Sequence, residues 1–285
     1  MNGKIILNRM RKNPFFMVGT ITSIFILVVV LLTPVLAQYD PIKNSLPEKF
    51  LPPEYFAHGL QGHVFGTDQM GRDIFSRMLY GARTTFIIAF AAAAITITVG
   101  VVLGLLSGFF GGIVDTIIMR ACDVISAVPT LILGIVVLSL FGSNMVNLIF
   151  VLGFTRWVRI CKVTRNNVRV AAKMDFVNAS RILGAKSNHI IFRQIFPNVT
   201  TNIIICGSQQ IGSLILAQAT FAFLGLGVLP PAPSWGHMIA SGRNYLTVYP
   251  WMALVPGIAL MITAVAFNFL GDGLRDVLDP KRTVV

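Results

Sequence analysis

Six long apolar runs dominate the chain and decide what it can become. They are Phe15 to Leu36, Phe86 to Phe110, Val124 to Leu140, Met145 to Trp157, Ile203 to Leu224 and Trp251 to Leu270. A bilayer core of about 30 Å needs about 20 mostly apolar residues per spanning helix, so runs of this length predict an all-α integral membrane protein of six helices. Only 12% of residues are charged, against about 25% in a soluble domain. The net charge of +12 is accounted for by Lys and Arg on the loops of a membrane protein, which leaves no case for nucleic acid as a partner. The first run exceeds the roughly 7–15 residues of a signal-peptide core, and it reads as an uncleaved helix.

Orientation follows from the basic residues. With a cytoplasmic N-terminus, the inside segments 1–14, 111–123, 156–197 and 272–285 hold 17 of the 23 Lys and Arg, and the outside segments hold 6. That bias predicts both termini inside. Arg72, Arg77 and Arg83, three of those six, lie on the outside just before the second run. Asp68 to Tyr80 is predicted as a short surface helix capped by Thr67 or Asp68, its Arg side chains reaching headgroups or a partner subunit.

Within the second run, Gly100, Gly104 and Gly108 share one helical face and predict a close helix–helix contact. No run carries an acidic or basic residue near its middle, which disfavours an ion-coupled carrier. Polar residues do occur in the last two runs: Gln209, Gln210, Ser213 and Gln218 in the fifth, and Asn268 in the sixth. They either line a polar path or bond to neighbouring helices. Cys122, Cys161 and Cys206 lack the spacing of a metal site and read as small buried hydrophobes. His58, His63, His189 and His237 also lack metal-ligand spacing, so no metal site is expected. The chain has no phosphate-binding G-x-x-x-x-G-K-[ST] loop and neither HExxH nor G-x-S-x-G. Neither ATP hydrolysis nor another enzymatic activity is expected of it.

The longest inside segment carries the mechanism. After a basic stretch from Arg156 to Lys173, residues 175–198 read DFVNASRILGAKSNHIIFRQIFPN. Phe176, Ala179, Ile182 and Leu183 recur at helical spacing. Gly184 then permits a turn, Ile190, Ile191, Ile195 and Phe196 resume the pattern, and Pro197 is expected to end it. The apolar surface of such a hairpin has two possible destinations, the groove of a soluble partner or the chain's own bundle.

This segment resembles the cytoplasmic-loop motif of ABC importer permeases, written EAA…G with a proline downstream. Asn178-Ala179-Ser180 stands in the place of EAA, Gly184 matches the glycine and Pro197 the proline. Asn178 and Ser180 depart from the pattern. Three further blocks resemble the dipeptide, oligopeptide and nickel group in its C-type permease subunit. They are Phe65 to Arg77 (FGTDQMGRDIFSR), Phe223 to Met238 (FLGLGVLPPAPSWGHM) and Phe267 to Lys281 (FNFLGDGLRDVLDPK). Asp115 to Asp123 with Pro129 fits as well.

The resemblance implies a type I permease fold of six transmembrane helices with a cytoplasmic coupling-helix loop at 172–198. It implies an N-terminal unit, 1–83, before a permease core, 84–285. Phe176, Asn178, Ala179, Ser180, Leu183, Gly184, Ala185 and Pro197 would meet the ATPase. Asp68, Gly71, Arg72, Asp73, Arg77 and Trp235 would form the outer-surface signature. It also implies the partners: a homologous second permease, two ATP-binding subunits that hold ATP and Mg, an extracellular solute-binding protein, and the plasma membrane of a prokaryote. Peptides, nickel and metal–chelate complexes are the substrates of that group.

Overall fold

A computed structural model describes residues 9–53 and 62–278. His58 and the end of the last block, 279–281, lie outside them. Among the described residues the regular structure is helical, with one isolated bridge between Thr67 and Asp73. The principal helices are α1 (Pro14–Leu31, followed by the single turn Thr33–Leu36), α2 (Ile74–Phe110), α3 (Gly112–Ala127), α4 (Thr130–Phe141) and α5 (Met145–Ala171). They continue with α6 (Asp175–Ile182), α7 (Ser187–Phe223), α8 (Trp235–Arg243) and α9 (Trp251–Leu278).

Local sequence sets several of the starts. Asn13 accepts a hydrogen bond from the Phe16 amide at 3.0 Å, with Pro14 following it. Asp73 accepts from the Ser76 amide at 2.7 Å, and Asn144 from the Asn147 amide at 2.8 Å. Each satisfies an amide that the first helical turn leaves without a partner. The predicted short helix over 68–80 does not form. Asp73 is the cap, and α2 runs from Ile74 through residue 84 without a break for 37 residues.

Four described helices are long and apolar enough to cross a membrane: α1, α2, α7 and α9. The third expected run is broken. Val128 is extended (φ −102°, ψ 126°) before Pro129, and α3 and α4 meet at 86°. A proline disfavours helical backbone in the residue before it and has no amide to donate. Counted as one bent span, the pair makes five. The fourth run is the start of a 27-residue helix, α5, that carries Arg156, Arg159, Lys162, Arg165 and Arg169. The apolar run itself meets its first charge only at its end, at Arg156, but the helix does not stop there and continues through the basic residues.

Packing between helices relies on small residues, as it must where lipid tails remove the hydrophobic drive. A Cβ on Gly100 would lie 2.7 Å from Ile160 Cβ, one on Gly104 2.6 Å from Thr164 Cβ, and one on Gly108 2.7 Å from Val168 Cβ. The predicted glycine face is thus the seat of α5. The partner numbers rise together, so α2 and α5 run parallel, and α3 with α4 carries the chain back between them. Gly19 meets the α9 backbone at Leu270, and Gly273 meets Phe16, so α1 and α9 are antiparallel. Residues 9–13, the 172–190 segment and the end of α9 share one end of the bundle, the hairpin end. Residues 37–53, 62–73 and 224–250 occupy the other, the cap end. An aromatic-rich core towards the cap end joins Phe86, Phe221, Trp235 and Phe267. A second core at the hairpin end joins Leu105, Val168, Val177, Ile190 and Ile195.

Candidate functional site

The hairpin divides its apolar residues between two faces. Val177, Ile190, Ile191 and Ile195 are buried against α2, α5 and the start of α7. Ile182 and Leu183 are 87% and 85% exposed, and Phe176, Ala179 and Phe192 are exposed with them. Both destinations considered for its apolar surface are therefore in use: one face packs on the chain's own bundle and the other is left open. Gly184 turns the chain at φ +75°, a left-handed conformation that glycine adopts without Cβ cost. The Ala185 amide closes the end of α6 on the Ser180 carbonyl at 3.0 Å.

Ser180 joins the two arms: it accepts from Gln194 Nε2 at 2.7 Å and donates to the Phe176 carbonyl at 2.9 Å. Gln194 escaped the sequence reading because an exposed-looking glutamine in an apolar arm carries no periodic signal. Asn178 makes one long contact, 3.5 Å, to the Lys173 carbonyl. Pro197 does not end the second arm. It sits in the first turn of Phe196–Phe223, directly after a π-helical stretch at Ile190–Ile195. That wider turn removes the i to i−4 pattern with which a proline conflicts, and α7 continues to Phe223.

A polar strip crosses the α5–α7–α9 contact. Gln210 is buried and donates to the Arg156 carbonyl at 3.2 Å. Arg156 donates to Ser213 Oγ at 3.3 Å. One turn further along α5, Arg159 donates to Gln209 Oε1 at 3.2 Å, and Gln209 Nε2 donates to Asp272 at 2.8 Å. Asn268 is exposed beside Gly212, on which a Cβ would lie 2.7 Å from its Oδ1. Gln209, Gln210 and Ser213 thus bond to neighbouring helices, with Gln209 half-buried, whereas Asn268 is exposed.

At the cap end the outer signature is an internal network. Asp68, Arg72, Asp73 and Arg77 are all less than 10% exposed. Asp68 accepts from Arg72 Nε at 2.7 Å and lies 3.5 Å from Arg77 Nε. Arg77 also donates to the Pro41 carbonyl at 2.7 Å, and Asp73 lies 3.0 Å from His63 Nδ1. Arg72 and Arg77 therefore do not reach headgroups, since Asp68 holds both inside. Arg83 is exposed. Gly71, at φ +71°, admits the Ser45 carbonyl where a Cβ would collide with it. Trp235 is buried and donates to the Met78 carbonyl at 2.9 Å, fastening α8 to α2. Burial, then Arg77 and Arg72, hold His237 below its ordinary pKa. Among the described residues no three His, Cys, Asp or Glu side chains converge as metal ligands.

Comparison with known proteins agrees with this arrangement. Residues 100–284 match the model of the binding-protein-dependent transport system inner membrane component, and residues 3–53 match the N-terminal TM domain of oligopeptide transport permease C. The oligopeptide transport system permease protein OppC of Bacillus subtilis is 37% identical over 273 residues, 96% of this chain and 88% of that one. The dipeptide transport system permease protein DppC of Haemophilus influenzae is 34% identical over 95% of this chain and 92% of its own. The glutathione transport system permease protein GsiD of Pectobacterium atrosepticum is 39% identical over 77% of this chain and 73% of its own. In fold, 71% of the chain superposes on 97% of a chain of the inward-facing MetNI methionine ABC transporter, with a TM-score of 0.58 at 16% identity. The hairpin, the glycine-seated helix pair and the buried outer signature thus sit in a member of the binding-protein-dependent inner-membrane permease family, among the C-type peptide permease subunits of ABC importers, whose ATP is hydrolysed by separate subunits.

Proposed function

We propose that the chain forms half of the translocation path of an ATP-driven peptide importer. A homologous second permease supplies the other half, two ATP-binding subunits supply the energy and hold ATP and Mg, and an extracellular binding protein delivers the cargo. Peptides are preferred to nickel because the relatives named above are permeases for oligopeptides, dipeptides and glutathione. On this reading α5 is the remaining span, for six in all. The hairpin end, which holds both described chain ends, faces the cytoplasm. Residues 1–83 are accessory to a core of 84–285.

The observation that carries the reading is the open apolar face of the hairpin, Phe176, Ile182 and Leu183. Two apolar side chains more than four-fifths exposed at the end of a short helix require a cover, and an ATPase groove supplies it. Closure of the ATPase pair on ATP then moves the hairpin and biases the bundle between outward-open and inward-open states. Phe176, Asn178, Ala179, Ser180, Leu183, Gly184, Ala185 and Pro197 act here by contact or by holding the turn. Leu183→Asp leaves the chain's own packing untouched, because the side chain faces outwards. It is expected to insert at the wild-type level, lose capture of the ATP-binding subunits and lose uptake. Full capture and uptake by this variant remove the hairpin from the coupling mechanism.

A further inference from the structure

We infer that Arg156 and Arg159 form a carboxylate-recognition point in the translocation path, which takes the C-terminal carboxylate of the peptide cargo. The inference rests on the importer reading above and deepens it.

The basic residues of α5 fall into two groups. Arg165 is held by Asp115, with Arg165 Nη2 to Asp115 Oδ2 at 2.6 Å, and Arg169 lies 3.8 Å from the same carboxylate. Lys162 lies 3.5 Å from Asp123. These three have counter-charges. Among the described residues, Arg156 and Arg159 have no acidic partner within ion-pair distance. Their guanidinium groups meet only neutral acceptors, Ser213 Oγ and Gln209 Oε1. Arg156 Nε is shielded from solvent and has no acceptor at all.

Their position makes the vacancy informative. They lie one turn apart near the middle of α5, on a strip where Arg159 and Asn268 are exposed and Arg156 and Gln209 half-buried. With α5 read as the sixth span, an arginine near its middle is costly against lipid, and such residues face the bundle interior or a water-filled cavity. Two planar forks side by side, each with unused donors, match an incoming carboxylate, which accepts paired hydrogen bonds from arginine. Every free peptide carries that group whatever its side chains, so a path serving varied peptides has one invariant handle to recognise. Asp272 orients Gln209 and through it Arg159. It is not within ion-pair distance of either arginine.

The same chemistry could come from a second source, an acidic side chain of the partner permease, and the test separates the two. The complete importer, reconstituted in proteoliposomes with its solute-binding protein, is supplied with binding protein saturated with either a tripeptide or its C-terminal amide. The wild type is expected to take up the free acid at least tenfold faster than the amide. Arg156→Gln and Arg159→Gln should lower free-acid uptake to the amide rate with the complex intact, and Arg159→Lys, which keeps the charge but not the paired donors, should restore only part of the difference. Equal wild-type rates for acid and amide overturn the inference. So does free-acid selectivity that survives both glutamine substitutions. Dissociation of the permease pair in the glutamine variants also overturns it and assigns the carboxylate to the partner. Absence of ATP-dependent uptake in the wild type would instead count against the importer reading itself.

Discussion

The contact between α2 and α5 makes a quantitative prediction, because the structure separates the two effects of adding a methyl group to a glycine. At Gly104 a new Cβ would stand 2.6 Å from Thr164 Cβ and 2.8 Å from the Cys161 carbonyl oxygen. Ordinary contact needs nearly 1 Å more at both points, and the carbonyl belongs to the helix backbone and cannot rotate away. At Gly257, inside α9, nothing lies within 4 Å of an added Cβ. Gly104→Ala and Gly257→Ala gain the same helix propensity, about 1 kcal/mol. Subtracting one from the other leaves the overpacking term, about 1–3 kcal/mol. For a chain of this size each kcal/mol moves the melting midpoint by about 2–4 °C, so Gly104→Ala should melt about 2–12 °C below Gly257→Ala. The assay is thermal unfolding of both variants in one detergent at one protein concentration. Thr164→Gly, added to Gly104→Ala, removes the closest atom and should recover part of the loss. Equal melting points for the two alanine variants would refute the claim that the glycine face sets the distance between these helices.

At Gly184 an added Cβ has open space on all sides, so the cost of Gly184→Val is backbone strain alone, about 1–2 kcal/mol. The variant should insert normally and lose uptake, while Gly184→Asn, which tolerates left-handed backbone, should retain it. Uptake assays at matched membrane levels decide, and wild-type uptake by the valine variant would contradict the reasoning. At the cap end, Asp68→Asn leaves Arg72 and Arg77 buried without their shared carboxylate. A loss of about 3–5 kcal/mol is expected for such an uncompensated charge, read as a large fall in melting midpoint. A shift below 2 °C would show that the network is not holding the cap.

What the sequence made legible was whatever repeats along a helix. The glycine face appeared at four-residue spacing, and its seat on α5 follows the same spacing at Ile160, Thr164 and Val168. The hairpin was visible because Gly184 interrupts an apolar pattern that resumes afterwards. Elements fixed by a single residue acting at a distance were harder to read. Pro129 breaks the third run at a right angle, yet hydropathy averages over the break. Pro197 reads as a stop and is instead absorbed by a π-helical stretch, since the register of the preceding turn depends on tertiary contacts. The basic half of α5 read as a loop because charge was counted without its partners. Asp115 and Asp123, some forty to fifty residues earlier, neutralise much of it. The outer arginines misled in the same way: Asp68 lies only four residues from Arg72, but burial of both is a property of the folded cap.

The parallel pairing of α2 and α5 has a mechanical consequence. At 1.5 Å per residue, the 37 residues of α2 make a rod about 55 Å long, well beyond the roughly 30 Å of hydrocarbon it would cross. One end begins in the Asp68–Arg77 network, and the other lies against the hairpin through Leu105. Because three glycines lock α5 to it, the two helices move as one beam rather than sliding past each other. If the beam pivots near its middle, a tilt of about 5° displaces each end by about 2.5 Å in opposite directions. A push delivered at the hairpin end would then reach the cap end reversed in sign, with no signal having to pass from side chain to side chain.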